Sequence, residues 1–597
     1  MNQILMSLQI SISVLIYLCP GIIISHHIVP NNLLKDIINK LYIYVIISFS
    51  FSTLLGLIIM KFYLVILTKI IYAITLIYII YSFGKKHNIF KNLFNIELNQ
   101  IQIILLPLFI MGFYLLINKE CFPRGWDASN HYVMFRQFLL NGPAHTEIGS
   151  LIKSYYPRGF SSSVSIFSSI MNLDPNISFK IFSSIIISTF PIAIYVFTKN
   201  IFNNNVAFFS SFSSLTTGYL FLPRGNFPFL LSLYYMGILL ILMNLIINYS
   251  INYFKYICFS WLILTSILFT HPSILVLYII TIISSLMYGL VMNRTGQILK
   301  YYKNIIYINI VSTILSIIFF ICIQPKLFIG YIEFLNLHEV KSEVLKQIIF
   351  RTTNKEMFII FFTPYLIFPF IIGLFEIIKK DSIKEIYIGS LLTSTICLFT
   401  FIIRPNNARE IYYMLYPFFS AIGVGIDHLF NEHNNLFKVN NNKIFSKIII
   451  ILLMILSISN LYHSSNGIFI NKPIYLSERD IEFADFINKN FRNERIAALN
   501  NPNMNFLDVL TTNKFILGDN TISDQKSYRD IYNVFSFNAN YSKVIEIIQI
   551  YNITAIIIDN LKYSGMRVLD INETFNLITY SHNDFLFIQI KERNIIE

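Results

Sequence analysis

Arg124, Asp127, His131 and Arg136 fall within thirteen consecutive residues, RGWDASNHYVMFR, directly after an apolar run in a region otherwise poor in charge. From Asp127 to His131 is one helical turn, so an amphipathic helix over 127–140 lying at an interface puts both side chains on one face. Arg124 and Arg136 are near enough along the chain to pair with the carboxylate or with a bound phosphate. Such pairing keeps Asp127 ionised, and an ionised carboxylate beside an incoming hydroxyl accepts its proton. The bland alternative for an Asp just outside a helix is a solvated cap.

More polar groups stand at the ends of apolar runs. SYYPRGF (154–160) holds Tyr155, Tyr156 and Arg158; LPRGNFP holds Arg224; FTHPS holds His271; FIIRPNNAREIYYMLYP holds Arg404, Arg409 and Glu410, then Tyr412 and Tyr413. Taken singly, each Arg is explained as a snorkelling anchor or a helix-end group. Together, planar guanidinium groups at one interface suit bidentate binding of a phosphate or pyrophosphate head group, and the tyrosine rings suit a sugar or an isoprenoid chain.

The elements that must position these residues follow from composition. Of 597 residues, 55% are hydrophobic and only 13% charged, and the apolar residues gather in many runs of the length needed to cross roughly 30 Å of hydrocarbon. Backbone amides in lipid must be satisfied within their own segment, so these runs are read as helices despite their wealth of Ile, Phe and Tyr. The chain is expected to be a polytopic α-helical membrane protein of about 14 transmembrane helices. The expected spans are 4–19, 37–60, 63–83, 102–118, 177–198, 205–222, 228–248, 256–270, 273–292, 304–324, 356–378, 386–403, 411–429 and 447–462. The first run has no basic residues before it and no small-residue cleavage site, and is read as a span rather than a signal.

Basic residues set the expected orientation. One set of alternate connections carries Lys35 and Lys40, Lys85, Lys86 and Lys91, Lys199, Lys255, Arg294, Lys300 and Lys303, Lys379, Lys380 and Lys384, then Lys438, Lys443 and Lys447, and is placed in the cytoplasm. The opposite set, including a long loop 119–176, is placed outside with Asp127. Residues 1–467 form the multi-span domain, and 468–597 form a soluble extracytoplasmic α/β domain. The latter carries 16 of the 32 acidic residues and 13 of the 45 basic ones. Ser477 opens a helix through Asn490, residues 541–551 form another, and RIAALN, AIIID and FLFIQI read as short strands. Asp508, Asp519, Asp524 and Asp559 are read as caps and turn residues. Sequons stand at Asn176, Asn540, Asn552 and Asn572.

Several function classes are disfavoured. There is no glycine-rich phosphate loop, nucleophile elbow or His-Glu zinc motif. The five cysteines show no disulfide or metal-ligand spacing: Cys19, Cys258, Cys322 and Cys397 lie in apolar runs, and Cys121 at the expected outer face. The formal charge of +13 is concentrated in the connecting loops, which argues against a nucleic-acid partner.

The stretch WDASNHYVMFR, and more loosely YYPRGF and RPNNARE, resembles the first-loop acidic motif and neighbouring basic segments of the GT-C superfamily of lipid-linked glycosyltransferases. That superfamily includes oligosaccharyltransferase catalytic subunits, protein O-mannosyltransferases and cell-wall arabinosyltransferases. The layout of many helices followed by an exterior domain is similar over the whole chain. The resemblance implies transfer of a sugar from a polyprenyl-phosphate donor, held among membrane lipid, to a glycan or protein acceptor on the outer face. In that reading Asp127 matches the catalytic acid or base, His131 and Arg136 support it, and Arg404 or Arg409 holds the donor phosphate. Two features depart from the family pattern: the soluble domain has no WWDYG-like stretch, and no firm second carboxylate accompanies Asp127, with Glu120 and Glu147 the candidates. The expected mechanism is therefore independent of a cofactor or divalent metal, the carrier phosphate leaving once Arg neutralises it.

A transporter or lipid-linked glycan flippase is the rival reading, and a scaffold with a partner-binding exterior domain is a third. Transporters place ionisable groups at the midplane and show inverted repeats. Here the expected midplane is almost free of charge apart from Lys69, no internal repeat is evident, and the polar groups gather at one face.

Overall fold

The computed structural model describes residues 3–34, 36–61, 65–84, 103–108, 110–112, 131–132, 134–136, 138–139, 157–215, 227–248, 252–291, 297–325, 364–379, 385–403, 415–437, 478–491, 494–499, 507, 511, 513–518, 530–531, 541–559, 575–582 and 585–592. The chain divides into two compact units. The first takes in Met1–Lys119, Phe138–Thr146 and Leu151–Lys472, and the second Glu120–Gln137, Glu147–Ser150 and Pro473–Glu597.

The first unit is helical. Its helices are α1 (Gln3–Ile28), α2 (Ile37–Lys61), α3 (Val65–Gly84), α4 (Gly159–Met171), α5 (Pro175–Ile201), α6 (Asn204–Ser214), α7 (Phe227–Asn248), α8 (Tyr253–Thr270), α9 (Ser273–Val291), α10 (Gln297–Ile323), α11 (Pro364–Lys379), α12 (Glu385–Ile403) and α13 (Leu415–Phe437). Among the described residues seven of these, α1, α2, α5, α7, α8, α9 and α10, are long and apolar enough to cross a membrane. The chain is a multi-pass helical membrane protein. The expected number of about 14 spans is not reached among the described residues: 102–118 is described only in two short pieces, and 447–462 lies outside them.

Helices α5 and α7 are buried along most or all of their length, whereas α3 and α10 lie at the periphery. Ile66, Ile70, Ile74, Ile77 and Tyr81 on α3, and Ile306, Ile310, Ile314, Ile317 and Ile321 on α10, recur every three or four residues as exposed stripes. That period is one helix face, and lipid is the medium in which it costs nothing. The inner faces are joined by small and hydroxyl-bearing residues, as expected where lipid supplies no hydrophobic drive between helices. Ser316 and Ser312 of α10 donate to the carbonyls of Trp261 (3.3 Å) and Ile257 (3.2 Å) on α8, and Thr265 Oγ1 reaches Ser316 Oγ at 2.9 Å. Gly423 of α13 packs on Val206 and Ser210 of α6, while Gly425 packs on Pro369 and Gly373 of α11.

The segment 119–176, read from sequence as one long loop, contains the buried helix α4. Its sequence GFSSSVSIFSSIM is too rich in serine to register as an apolar run. Serine hydroxyls nevertheless bond back to their own helix, as Ser165 does to the Ser161 carbonyl at 2.7 Å, so the stretch is compatible with burial. Ser163 Oγ joins Ser52 Oγ (2.5 Å) and Tyr17 Oη (2.9 Å), and Ser162 donates to the Thr53 carbonyl at 2.7 Å, fixing α4 against α1 and α2. At the far end of α5, Lys199 Nζ meets Asp36 Oδ2 at 3.2 Å. Two of the basic connections assigned to one face thus lie at one end of the unit.

The second unit holds a five-stranded sheet, built from β1 (Arg495–Leu499), β2 (Lys514–Gly518), β3 (Ala555–Asp559), β4 (Phe575–His582) and β5 (Phe585–Glu592), in the order β2-β1-β3-β5-β4. β1 is parallel to β2 and β3, β3 is antiparallel to β5 (Ile556 opposite Ile588), and β4 pairs with β5 as a hairpin. Helices α14 (Glu478–Asn490) and α15 (Tyr541–Ile550) accompany it. One face packs Ile556, Ile558, Ile588 and Ile590 against Val544, Ile547 and Ile548 of α15. The other packs Phe585 and Phe587, whose rings lie 4.3 Å from those of Phe483 and Phe491.

Candidate functional site

Four of the sequence-predicted residues are described: Arg158 and His271 in the helical unit, and His131 and Arg136 in the second unit. Asp127, Arg124, Tyr156, Arg224, Arg404, Arg409, Glu410 and Tyr413 lie outside the described residues.

In the helical unit, one end of the bundle gathers Arg158 and His271. Arg158 is the N-cap of α4, 6% exposed, and its side chain makes no capping bond. Burial pushes its guanidinium down to about 10, so it remains a cation at neutral pH. Its neighbour Gly159 permits the approach of two helix ends: a Cβ there would lie 2.5 Å from the Phe269 carbonyl oxygen and 2.9 Å from Thr270 Oγ1. Thr270 is fully buried, and its hydroxyl has no hydrogen-bond partner. His271 follows as the cap of α8, its amide bonded to the Ile267 carbonyl at 2.8 Å and its Nδ1 2.7 Å from Ser273 Oγ.

Aromatic rings complete this end. Phe160 stacks on Phe227 at 5.9 Å, and Phe229 meets the His271 ring edge-on at 5.1 Å. A cation, an imidazole, an unpartnered hydroxyl and several rings therefore share one bundle end, a set that suits an anionic head group carrying an apolar chain. Sequence reasoning found Arg158 and His271 but missed Gly159 and Thr270. The signal was present in the PRGF and FTHPS stretches, but only the fold shows that they meet.

In the second unit, residues 131–136 are helical wherever described. His131, Tyr132 and Phe135 are buried, with the Tyr132 and Phe135 rings 6.1 Å apart. Arg136, expected to bind substrate, directs Nη2 to Asp485 Oδ1 of α14 at 3.3 Å. Among the described residues no three His, Cys, Asp or Glu side chains gather as a metal site requires, and the carboxylates considered for one, Asp127, Glu120 and Glu147, lie outside them.

No family model and no curated protein matches the chain. Solved structures do. The apo crystal structure of the Archaeoglobus fulgidus oligosaccharyltransferase superposes with a TM-score of 0.53 at 9% identity, over 78% of this chain and 70% of that one. ArnT from Cupriavidus metallidurans, bound to undecaprenyl phosphate, superposes with a TM-score of 0.52 at 10% identity, over 82% of this chain and 97% of that one. At such identities the likeness is one of fold. The chain therefore shares its fold with these two solved structures.

Proposed function

We propose that this protein is a GT-C-type glycosyltransferase that moves a sugar from a polyprenyl-phosphate-linked donor to a glycan or protein acceptor at the outer face of a cell membrane, with Asp127 as the catalytic base. The observation that carries the proposal is the fold shared with two solved proteins, one an oligosaccharyltransferase and the other bound to undecaprenyl phosphate. The Arg158 and His271 end of the helical unit supports it by supplying charge suited to a phosphate beside rings suited to a lipid.

A polyprenyl carrier cannot leave the bilayer, so its enzyme must hold the phosphate at the lipid boundary while an aqueous acceptor approaches. In this reading Arg158 neutralises the donor phosphate, with Arg224, Arg404 and Arg409 from neighbouring connections and His271 completing the seat. The acceptor oxygen attacks the anomeric carbon, the bond from that carbon to the phosphate oxygen breaks, and the acceptor proton passes to Asp127. A positioned base contributes a factor of roughly 10² to 10⁴. His131, one turn beyond, and Arg124 keep that carboxylate ionised. The basic connections face the cytoplasm, and the unit containing the sheet faces outward.

The test is transfer from a polyprenyl-phosphate sugar by purified protein in lipid. Asp127→Asn is expected to lower turnover by about 10²-fold or more while helix content by circular dichroism is unchanged. Equal turnover in that variant removes the base assignment. A wild-type protein that neither binds polyprenyl phosphate nor transfers sugar from it removes the whole proposal.

A further inference from the structure

We propose that Asp485 is a positioning residue for the reaction: its ion pair with Arg136 anchors the segment carrying Asp127 and His131 to helix α14. The inference rests on the function proposed above and assigns a role to the α/β unit.

Arg136 and Asp485 are 349 residues apart in sequence and 3.3 Å apart in the structure. The Arg136 side chain is only 16% exposed, so its stem is packed while its head reaches out to the carboxylate. His131, Tyr132 and Phe135 of the same stretch are buried, and Arg136 makes a charged contact with α14.

The anchor point is well packed. Ile481, Phe483, Ala484 and Ile487 of α14 are buried, Phe483 stacks on Phe585 of β5 at 4.3 Å, and the Arg479 guanidinium lies over the same Phe585 ring at 5.0 Å. Asp485 points away from that packing and is 59% exposed, yet its backbone belongs to a helix fixed on the sheet.

Asp127 is four residues before His131, so an extended chain lets it stray at most about 14 Å from that position. A base must hold its proton acceptor within hydrogen-bond reach of the acceptor hydroxyl, and misplacement by ~1 Å can cost about 100-fold. Anchoring the far end of so short a tether therefore acts on turnover. It does not act on donor affinity, which in the proposed function comes from the helical unit. The Asp485 end of the pair is exposed and adds little to stability, so changing Asp485 leaves the fold in place.

The experiment uses the full chain in lipid nanodiscs with Arg136→Glu, Asp485→Lys and the double variant that restores the pair with its charges exchanged. Each single change is expected to lower kcat by about 10-fold while KM for the polyprenyl-phosphate donor and, in Asp485→Lys, the unfolding temperature stay as in the wild type. The double variant is expected to recover most of the lost kcat. Backbone hydrogen exchange over 131–139, read without any transfer assay, is expected to speed up in each single variant and slow again in the double. Unchanged kcat and exchange in both single variants overturn the proposal, as does a double variant no better than the singles. Exchange that responds as expected in a protein showing no sugar transfer at all keeps the anchor and defeats the function proposed above instead.

Discussion

Arg158 combines near-complete burial with a charge that survives it. In the proposed function that charge meets the donor phosphate. Arg158→Lys retains the charge but loses the planar fork, so kcat/KM for the donor is expected to fall by about 10-fold or more, against a loss of about 100-fold for Arg158→Gln. Burial lowers this group to about 10, so its protonated fraction is full through neutrality and is lost only as pH rises through that value. Donor binding measured between pH 6 and pH 8 should therefore show no titration from Arg158. This residue and His271 were legible in sequence because a charge at the margin of an apolar run stands out. Thr270 was not, since a threonine closing such a run looks like any helical residue until its hydroxyl is found beside Gly159 with no partner.

Helix α4 depends on close approach. With the Phe269 carbonyl, a backbone group that cannot swing aside, 2.5 Å from where a Cβ would stand, Gly159→Ala must push α4 and α8 apart. A loss of about 1–3 kcal/mol is expected, measured as a lower unfolding temperature in detergent. Donor affinity should weaken with it, because Arg158 and His271 flank that contact. Hydropathy missed α4, whose serines are satisfied inside the helix and by Tyr17 and Ser52. In the second unit the order reversed. RIAALN, AIIID and FLFIQI were legible as strands because they are dense in apolar residues and become the inner strands β1, β3 and β5. The edge strands β2 and β4 escaped notice: KFILG is short, and FNLITYSH alternates apolar with Asn, Thr and Ser as an edge permits.

At the scale of the whole molecule, the multi-pass character was written in composition, while the serine-rich helix α4 was not, because its hydroxyls hide it from hydropathy. The ion pair between Asp36 and Lys199 joins two connections that the distribution of lysines assigns to the cytoplasm. A phosphatase reporter that folds only outside the cytoplasm, fused after Glu597, is therefore expected to be active, and one inserted after Lys199 inactive. The opposite pattern would invert the proposed orientation. One arrangement bears on how the protein comes into being. The second unit unites Glu120–Gln137 with Pro473–Glu597, so Arg136 meets Asp485 only after a further 349 residues have been made. A nascent chain threads its helices into the bilayer while His131 and Arg136 wait for α14 to emerge. A chain cut short before that helix lacks the partner of Arg136.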